Sequence, residues 1–335
     1  MKEENLIFIL SQPRSGSTYL QNLLSNNSEV NTVSEPWLLL NFANQIKPSL
    51  MCAEFQNHTA LDAFEMYKNK ISDLDFTLSF KNFILSMYAP LKGDFKFVLD
   101  KTPRYWEMGP EITDLFPKAK VVILNRNPID VAKSMVNTWN IQSFEELGAL
   151  NRDILLGPRA IKKLEKDHVN NPNVYALNYE DIVKNPSFEI EKLYQWIGIN
   201  YSPKVLETQG NKKYKGKYGD PFQNKNIPTA TAKLEAISDF ANSEEFVLFL
   251  DGYSRFLEYD SIEEYVSVKN SVKTNSSKIF NSYFDNFPFE NSQNEVVNLK
   301  KKLQHIEAST KYKIGSFIVL PLQYISVSFR KLFKK

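Results

Sequence analysis

Short apolar runs and segments of helical periodicity alternate along the chain. Apolar runs that predict strands occupy residues 6–10, 95–99, 120–125 and 173–178. Runs this apolar are typical of parallel strands that are covered on both faces. Helical periodicity extends over residues 128–139, 145–168 and 188–197. The alternation predicts an α/β fold in which a central, mostly parallel sheet lies between two layers of helices.

Polar segments directly follow three of the predicted strands. These segments are the loop 11–18, Asp100–Lys101 and Asn125–Arg126. Parallel α/β sheets bind ligands in the crevice beyond the carboxyl ends of their strands. We therefore expect the three segments to face one crevice.

The first of these loops, "SQPRSGST", joins a strand to a helix and has the chemistry of an anion site. Backbone N–H groups at the start of the helix, the helix dipole and several hydroxyls all favour an anion, and Arg14 adds a forked cation. A Walker A loop would have Gly at Ser11 and Lys at Ser17. The loop therefore suits a terminal phosphate or a sulfate-bearing group better than a γ-phosphate. An ordinary Ser-rich helix cap is the alternative.

A second anion site is predicted where the third strand meets its helix, in "NRNPIDVAKSM". Asn127 can cap the helix and Pro128 suits its first position. Arg126 precedes the helix and Ser134 lies two turns into it, so the pair could bind a second phosphate. Taken alone, a surface Arg and an ordinary helix Ser explain this segment equally well.

Composition narrows the class of protein further. The 335 residues carry a net charge of only +2, which argues against a nucleic-acid partner. Cys52 is the single cysteine, so an internal disulfide framework is excluded and a reducing compartment is favoured. The apolar run near the N-terminus is too short for a signal peptide, which predicts a cytoplasmic start.

The composition changes after about residue 260. We expect a catalytic domain over residues 1–260, an Asn-, Ser- and Lys-rich linker over 261–291 and an amphipathic helical tail over 292–335. A narrow apolar stripe predicts a helix at 292–309 that could mediate self-association. Residues 314–329 are uncharged and are flanked by cations, which favours binding of 310–335 to an anionic membrane surface. A helix packed on the catalytic domain is the alternative.

Both phosphate segments resemble the sulfotransferase family that uses 3′-phosphoadenosine 5′-phosphosulfate (PAPS), in particular its bacterial carbohydrate and tyrosyl-protein-like branch. The resemblance covers about residues 5–255 and includes "LNYEDIVKNP" and "YGDPF". It implies a P-loop-like three-layer fold. The 5′-phosphosulfate would be bound by Pro13, Arg14, Ser15, Gly16, Ser17 and Thr18, the 3′-phosphate by Arg126 and Ser134, and the nucleotide also by Tyr179. The late basic segment of the cytosolic branch is not matched by Lys215–Lys217.

The resemblance also suggests where catalysis takes place. Glu35, in "NTVSEPW", corresponds to the proposed base of the tyrosyl-protein and carbohydrate branches, although a helix N-terminal cap is the alternative. Lys101 would assist the leaving oxygen, and Arg14 is the second candidate for that role. The three histidines, His58, His168 and His305, fit no base motif, and we expect them to be solvated.

Together these features predict an enzyme that moves a sulfuryl group from PAPS to a carbohydrate hydroxyl, on a surface polysaccharide or a glycolipid. No metal is expected, and the enzyme would lie at the inner face of the cell membrane. Asp100, at the end of an apolar strand, leaves open a P-loop kinase-like phosphotransferase. A non-catalytic, membrane-associated nucleotide-binding module is the third possibility.

Overall fold

A five-stranded sheet forms the centre of the protein in a computed structural model that describes residues 1–50, 57–71, 75–207 and 239–257, together with residues 279, 280 and 283. Its strands are β1 (Leu6–Ser11), β2 (Val30–Thr32), β3 (Phe97–Lys101), β4 (Lys120–Asn125) and β5 (Val174–Asn178). They lie in the order β2-β3-β1-β4-β5, and each of these neighbouring pairs is parallel. The predicted α/β class with a central parallel sheet is confirmed.

Helices connect these strands. The α-helices are α1 (Ser17–Ser25), α2 (Ala43–Ile46), α3 (Asn57–Lys70), α4 (Phe76–Lys92), α5 (Gly109–Leu115), α6 (Pro128–Thr138), α7 (Phe144–Leu147), α8 (Gly157–Asp167), α9 (Tyr179–Lys184), α10 (Pro186–Ile197) and α11 (Glu244–Phe256). Short 3₁₀ turns occupy Glu3–Asn5, Leu39–Phe42, Pro48–Leu50, Pro103–Met108, Gly148–Leu150, Pro203–Leu206 and Phe240–Asn242, and a π-helical turn occupies Arg152–Leu156.

The central strand β1 contributes to a hydrophobic core on each face of the sheet, because successive strand residues point to opposite sides. Leu6, Phe8 and Leu10 pack with residues of α4, α5, α8 and the 3₁₀ turn Pro103–Met108. Ile7 and Ile9 pack with residues of α1, α9 and α10. This is the three-layer arrangement that the sequence predicts.

Parallel pairing brings the ends of β1, β3 and β4 to the same edge. Ile9 pairs with Lys101 on one side, and Ser11 pairs with Leu124 on the other. Strand β3 begins two residues later than predicted, because Phe95 belongs to the turn that follows α4, where its N–H bonds to the Lys92 carbonyl. The strand also ends later than predicted, so that Lys101 is its last residue.

The predicted helical segment 145–168 is confirmed, because residues 144–167 are helical without interruption, although the type of helix changes along it. The segment is divided into α7, a 3₁₀ turn, the π-helical turn and α8. Pro158 lies in the first turn of α8 and has no N–H to donate to the carbonyl four residues earlier, which fits the change of helix type at this point. The predictions for 128–139 and 188–197 are confirmed to within two residues by α6 and α10.

Several predictions concern residues outside the described part of the chain. They include the segment Lys215–Lys217, the 292–309 helix, the membrane-binding tail 310–335 and nearly all of the linker 261–291. The chain divides into two units, Met1–Ile279 and Phe280–Lys335, and every element given above lies in the first. A search of the described residues found no helix that is both long and apolar enough to cross a membrane.

Candidate active site

The loop between β1 and α1 is shaped by Gly16. Its φ of 91° is left-handed, and it is the residue from which α1 begins. A Cβ atom at this position would lie 2.3 Å from the ring of Tyr179, so only glycine fits. The first N–H groups of α1 have no partner within the helix, and the helix dipole favours an anion beside them. The structure thus gives the predicted loop an anion-binding geometry.

Arg14 connects this loop to the start of α6. Its backbone is left-handed, with a φ of 66°, which is costly for a residue with a side chain. Its Nε donates to Ser134 Oγ at 3.3 Å, and its carbonyl accepts from Arg126 Nη1 at 3.0 Å. Three predicted site residues from two distant segments are therefore in direct contact.

Arg126 has the features of a phosphate ligand. Its buried Nε has no hydrogen-bond partner among the residues that the structure describes, and its guanidinium lies 4.5 Å from the centre of the Tyr179 ring. Asn127 caps α6 by accepting from the Ile129 N–H at 2.9 Å, as predicted, which fixes the backbone that carries Arg126. An unsatisfied guanidinium N–H is unfavourable in a buried site unless an acceptor binds there, and an oxyanion is the acceptor that arginine matches best.

A second cluster of charged groups joins Glu35 to the start of α1. Lys101 Nζ donates to Glu35 Oε1 at 2.7 Å and to Thr18 Oγ1 at 3.2 Å. Glu35 Oε2 accepts from the indole N–H of Trp37 at 3.3 Å. The Lys101 side chain is 1% exposed and that of Glu35 is 12% exposed, so water screens this pair weakly. The 3₁₀ helix Leu39–Phe42 has no side-chain cap, which leaves the helix-cap interpretation of Glu35 without support.

Asp100 points away from that cluster, because it precedes Lys101 in β3 and adjacent strand residues face opposite sides. Its buried carboxylate accepts hydrogen bonds from the hydroxyls of Tyr88, Tyr105 and Thr102 at 2.5, 2.8 and 3.0 Å. Burial raises the pKa of Asp100 to about 6, although these hydroxyls and Lys101 counteract the rise. Its oxygens are thus occupied by hydroxyls, and the Walker B-like interpretation gains no support.

The raised pKa makes the stability contribution of Asp100 depend on pH. The folded protein binds this proton more tightly than the unfolded chain, whose value is 3.8, so this contribution is complete below pH 4 and is lost as pH rises through about 6. In the wild-type protein the free energy of unfolding should fall by about 3 kcal/mol over this pH range, at 1.36 kcal/mol per pKa unit, and Asp100→Asn should abolish this fall. Urea unfolding of both proteins between pH 4 and 7 checks this. If the free energy of unfolding depended on pH in the same way in both proteins, the prediction would be contradicted. A poor fit of the asparagine would lower the stability by the same amount at every pH, so it cannot imitate the predicted effect.

The histidines give a mixed outcome. His168 is only partly exposed, and its ring makes hydrogen bonds with Thr113 Oγ1 at 3.1 Å and the Leu164 carbonyl at 2.9 Å. The expectation that His168 is solvated is therefore wrong, because it secures the end of α8. The side chains of His58 and His305 lie outside the described residues. Within the described residues, no group of three or more His, Cys, Asp or Glu side chains could hold a metal ion.

Four polar or aromatic side chains at this edge of the sheet were missed by the sequence analysis: Gln12, Trp37, Arg104 and Asp153. Arg104 binds Asp153 through a two-pronged ion pair, with a distance of 2.7 Å between Nη2 and Oδ2, and Gln12 Nε2 donates to the Asp153 carbonyl at 2.7 Å. Trp37 lies two residues after Glu35, and Arg104 lies three residues after Lys101. This closeness to predicted site residues is the sequence signal that could have indicated them. Asp153 gives no such signal.

Several known proteins are similar to this chain in sequence or in structure. The model of a family described as "Sulfotransferase family" matches residues 6–203. The nodulation protein NoeE of Sinorhizobium fredii is 22% identical over 318 residues, which cover 84% of this chain and 73% of that protein. Protein-tyrosine sulfotransferase 2 of Gallus gallus is 21% identical over 210 residues, which cover 62% of this chain and 55% of that protein. Among solved structures, the sulfotransferase domain of the Synechococcus olefin synthase is 18% identical, with a TM-score of 0.47, over 84% of this chain and 96% of that one.

Proposed function

Because the chain belongs to the sulfotransferase family, we propose that it transfers the sulfuryl group of PAPS to a hydroxyl of a carbohydrate acceptor. The observation that carries the proposal is the contact of Thr18 with Lys101 and of Lys101 with Glu35. An anion-binding helix start, a buried cation and a carboxylate are thereby joined at one edge of the sheet. A module that only binds a nucleotide has no need of the last two groups.

The charged groups supply two anion sites for the donor nucleotide. The loop 13–18 and the start of α1 receive the 5′-phosphosulfate, with hydroxyls and backbone N–H groups as donors. Arg126 and Ser134 receive the 3′-phosphate. One donor is the buried Arg126 Nε, which has no hydrogen-bond partner within the described part of the chain. The Tyr179 ring packs against Gly16 and lies under the Arg126 guanidinium, so it forms a wall of the nucleotide site.

Transfer requires the acceptor oxygen, the sulfur and the leaving phosphate oxygen to lie in line. The acceptor oxygen attacks the sulfur and forms a new S–O bond, while the bond between the sulfur and the 5′-phosphate oxygen breaks. Glu35 takes the proton of the acceptor hydroxyl, and Lys101 stabilises the negative charge that develops on the leaving phosphate oxygen. The products are a sulfate ester, adenosine 3′,5′-bisphosphate (PAP) and a protonated Glu35, which returns its proton to solvent.

Lys101 fits the leaving-group role better than Arg14, the second candidate. Lys101 contacts the predicted base and the first turn of α1, whereas the Arg14 side chain reaches Ser134. An ammonium group has three N–H donors, so Lys101 can exchange a protein partner for the leaving oxygen without moving far. We therefore assign Arg14 to nucleotide binding.

Nucleotide binding gives the direct test of this function. A ligand present at 100 times its dissociation constant stabilises the folded protein by about 2.7 kcal/mol. We expect PAP to raise the melting temperature at concentrations where ATP with Mg²⁺ does not. Stabilisation by ATP with Mg²⁺ and none by PAP would contradict the proposal.

Substitution of Arg126 tests the placement of the nucleotide. We expect Arg126→Ala to weaken PAP binding by about 10- to 100-fold, since hydrogen bonds to charged groups contribute about 1.5–3 kcal/mol. Binding of adenosine 5′-phosphate, which lacks the 3′-phosphate, should change little. Calorimetry of both nucleotides measures this, with Arg152→Ala as a control, because Arg152 is an exposed arginine paired with Glu107. Equal losses for the two nucleotides would contradict the assignment.

The cellular setting of the proposal depends on the sequence pattern alone. An uncharged segment flanked by cations, within residues 310–335, favours attachment to the inner face of the cell membrane, where lipid-linked glycans would be acceptors. Residues 292–309 would mediate self-association through their apolar stripe.

A further inference from the structure

Trp37 is held in a conformation that few residues adopt. Its φ of 52° is left-handed, and its N–H donates to Thr102 Oγ1 at 3.3 Å. Its carbonyl accepts from Asn41 Nδ2 at 2.9 Å. Strained backbone of this kind persists only where surrounding contacts enforce it, and it is concentrated at functional sites. The position of Trp37 is therefore determined by the fold around it.

The indole ring of Trp37 lies between the predicted base and a fixed arginine. Its Nε1 donates to Glu35 Oε2 at 3.3 Å, and the Arg104 guanidinium carbon lies 5.8 Å from its ring centre. The Trp37 side chain is partly exposed, and that of Arg104 is 40% exposed. A molecule that brings a hydroxyl to Glu35 must therefore approach this pair of side chains.

Arg104 is a preorganised donor. Its Nε and Nη2 bind the Asp153 carboxylate at 3.1 and 2.7 Å, and Asp153 is itself buried and accepts from Trp106 Nε1 at 3.2 Å. The remaining guanidinium nitrogen, Nη1, makes no hydrogen bond to any residue that the structure describes. A guanidinium fixed in this way loses little entropy when it binds a ligand.

We propose that Trp37 and Arg104 form the acceptor subsite, and that this subsite takes a neutral sugar ring. The inference rests on the proposed function and assigns residues to its acceptor side. The amphipathic indole ring offers a surface for the C–H face of the sugar, and Arg104 Nη1 donates to a ring oxygen or a hydroxyl. The contact between Trp37 and Glu35 places the reacting hydroxyl beside the base.

The charge balance of the subsite favours a neutral acceptor. Asp153 compensates the charge of Arg104, and Glu35 compensates that of Lys101. A sugar acid or an acidic peptide would bring a further negative charge close to two carboxylates, and the two described cations of this cluster, Arg104 and Lys101, are already paired with them. Hydroxyl groups carry no such cost.

Acceptor kinetics test the subsite. Transfer of labelled sulfate from PAPS is measured with p-nitrophenyl glycosides of galactose, fucose and N-acetylglucosamine, with the glucuronide, and with N-acetyltyrosine amide. We expect the neutral glycosides to be sulfated with kcat/KM at least tenfold above the other two probes. Sulfation of the glucuronide or the tyrosine amide in preference to every neutral glycoside, or of no neutral glycoside, would overturn the proposal.

Two substitutions then locate the subsite. Arg104→Lys is expected to raise the KM of the best neutral glycoside at least tenfold with kcat changed less than threefold, because lysine lacks the planar fork that binds Asp153 through two nitrogens and directs the third to the sugar. The matched control is Arg152→Lys, whose arginine binds Glu107 in a similar two-pronged pair. Trp37→Leu should also raise KM at least tenfold, while Trp139→Leu, at a 42% exposed tryptophan, should not.

The affinity for PAP separates failure of the subsite from failure of the proposed function. PAP dissociation constants should agree within twofold between the wild-type protein and all four variants. Unchanged KM in both Arg104→Lys and Trp37→Leu, with normal PAP binding, would overturn the subsite and leave the sulfotransferase activity standing. A wild-type protein that binds no PAP would instead refute the proposed donor. If Trp37→Leu has a lower melting temperature than the wild-type protein, the KM of Arg104→Lys is the test of the subsite, because the Arg104 side chain is partly exposed and its substitution should not disturb folding.

Discussion

Glu35→Gln is expected to lower the rate of sulfuryl transfer by about 10²–10⁴-fold, the usual contribution of a general base. Glutamine keeps the size of the side chain, and its one amide oxygen can still accept a hydrogen bond from Lys101, whereas its amide nitrogen cannot accept from the Trp37 indole N–H. It cannot take a proton from the acceptor hydroxyl at neutral pH. Binding of PAP should change little, because the proposed nucleotide contacts lie on the loop 13–18 and on Arg126. Single-turnover transfer of labelled sulfate measures the effect.

A matched control for this variant is Glu29→Gln. Glu29 lies just before β2, and its carboxylate is 3.5 Å from Lys96 Nζ in a half-exposed pair. Loss of such a surface pair costs about 0–1 kcal/mol of stability and should leave turnover intact. If Glu35→Gln retained near-normal transfer, Glu35 would be removed from the mechanism.

Lys101→Met should lower kcat by about 10²–10³-fold, which is the typical loss when one donor to a developing anion is removed. Methionine fills a similar volume in a site where the lysine is 1% exposed, so the packing is largely kept. The lost group is the cation that would face the leaving phosphate oxygen. We expect single-turnover rates at saturating PAPS to show the full effect.

The control for Lys101 is Lys96→Met, which breaks the surface pair with Glu29 and should leave kcat unchanged. The double variant Glu35→Gln with Lys101→Met should be less impaired than the product of the two single losses, because contacting residues of one network are not additive. Normal kcat in Lys101→Met would show that the Lys101–Glu35 pair is a structural ion pair only.

Local patterns along the chain accounted for much of the fold. Apolar runs indicated four of the five strands, whereas the fifth, β2, spans only the three residues Val30–Thr32. Errors arose where local pattern and packing differ: Phe95 continues an apolar run but belongs to a turn after α4. The apolar pattern over residues 145–168 predicted a helical segment correctly, but it did not indicate the 3₁₀ and π-helical turns that precede Pro158.

What the sequence by itself determined is the residue types and the local backbone geometry of the two predicted anion sites. A glycine-containing turn before a helix and an Arg-Asn-Pro helix start are short segments whose hydrogen bonds are made within a few residues, so their residue types specify their geometry. Because both segments directly follow predicted parallel strands, the sequence also indicated that they lie at the same edge of the sheet.

Only the tertiary structure decided which side chains act together. Lys101 and Asp100 are adjacent in sequence, yet the pleat of β3 directs one to Glu35 and the other to a buried group of hydroxyls. Arg104 and Asp153 are 49 residues apart, and their contact depends on how the π-helical turn packs against the 3₁₀ turn after β3. Contacts of this kind depend on the relative positions of elements, which the sequence encodes only through the packing of the whole core.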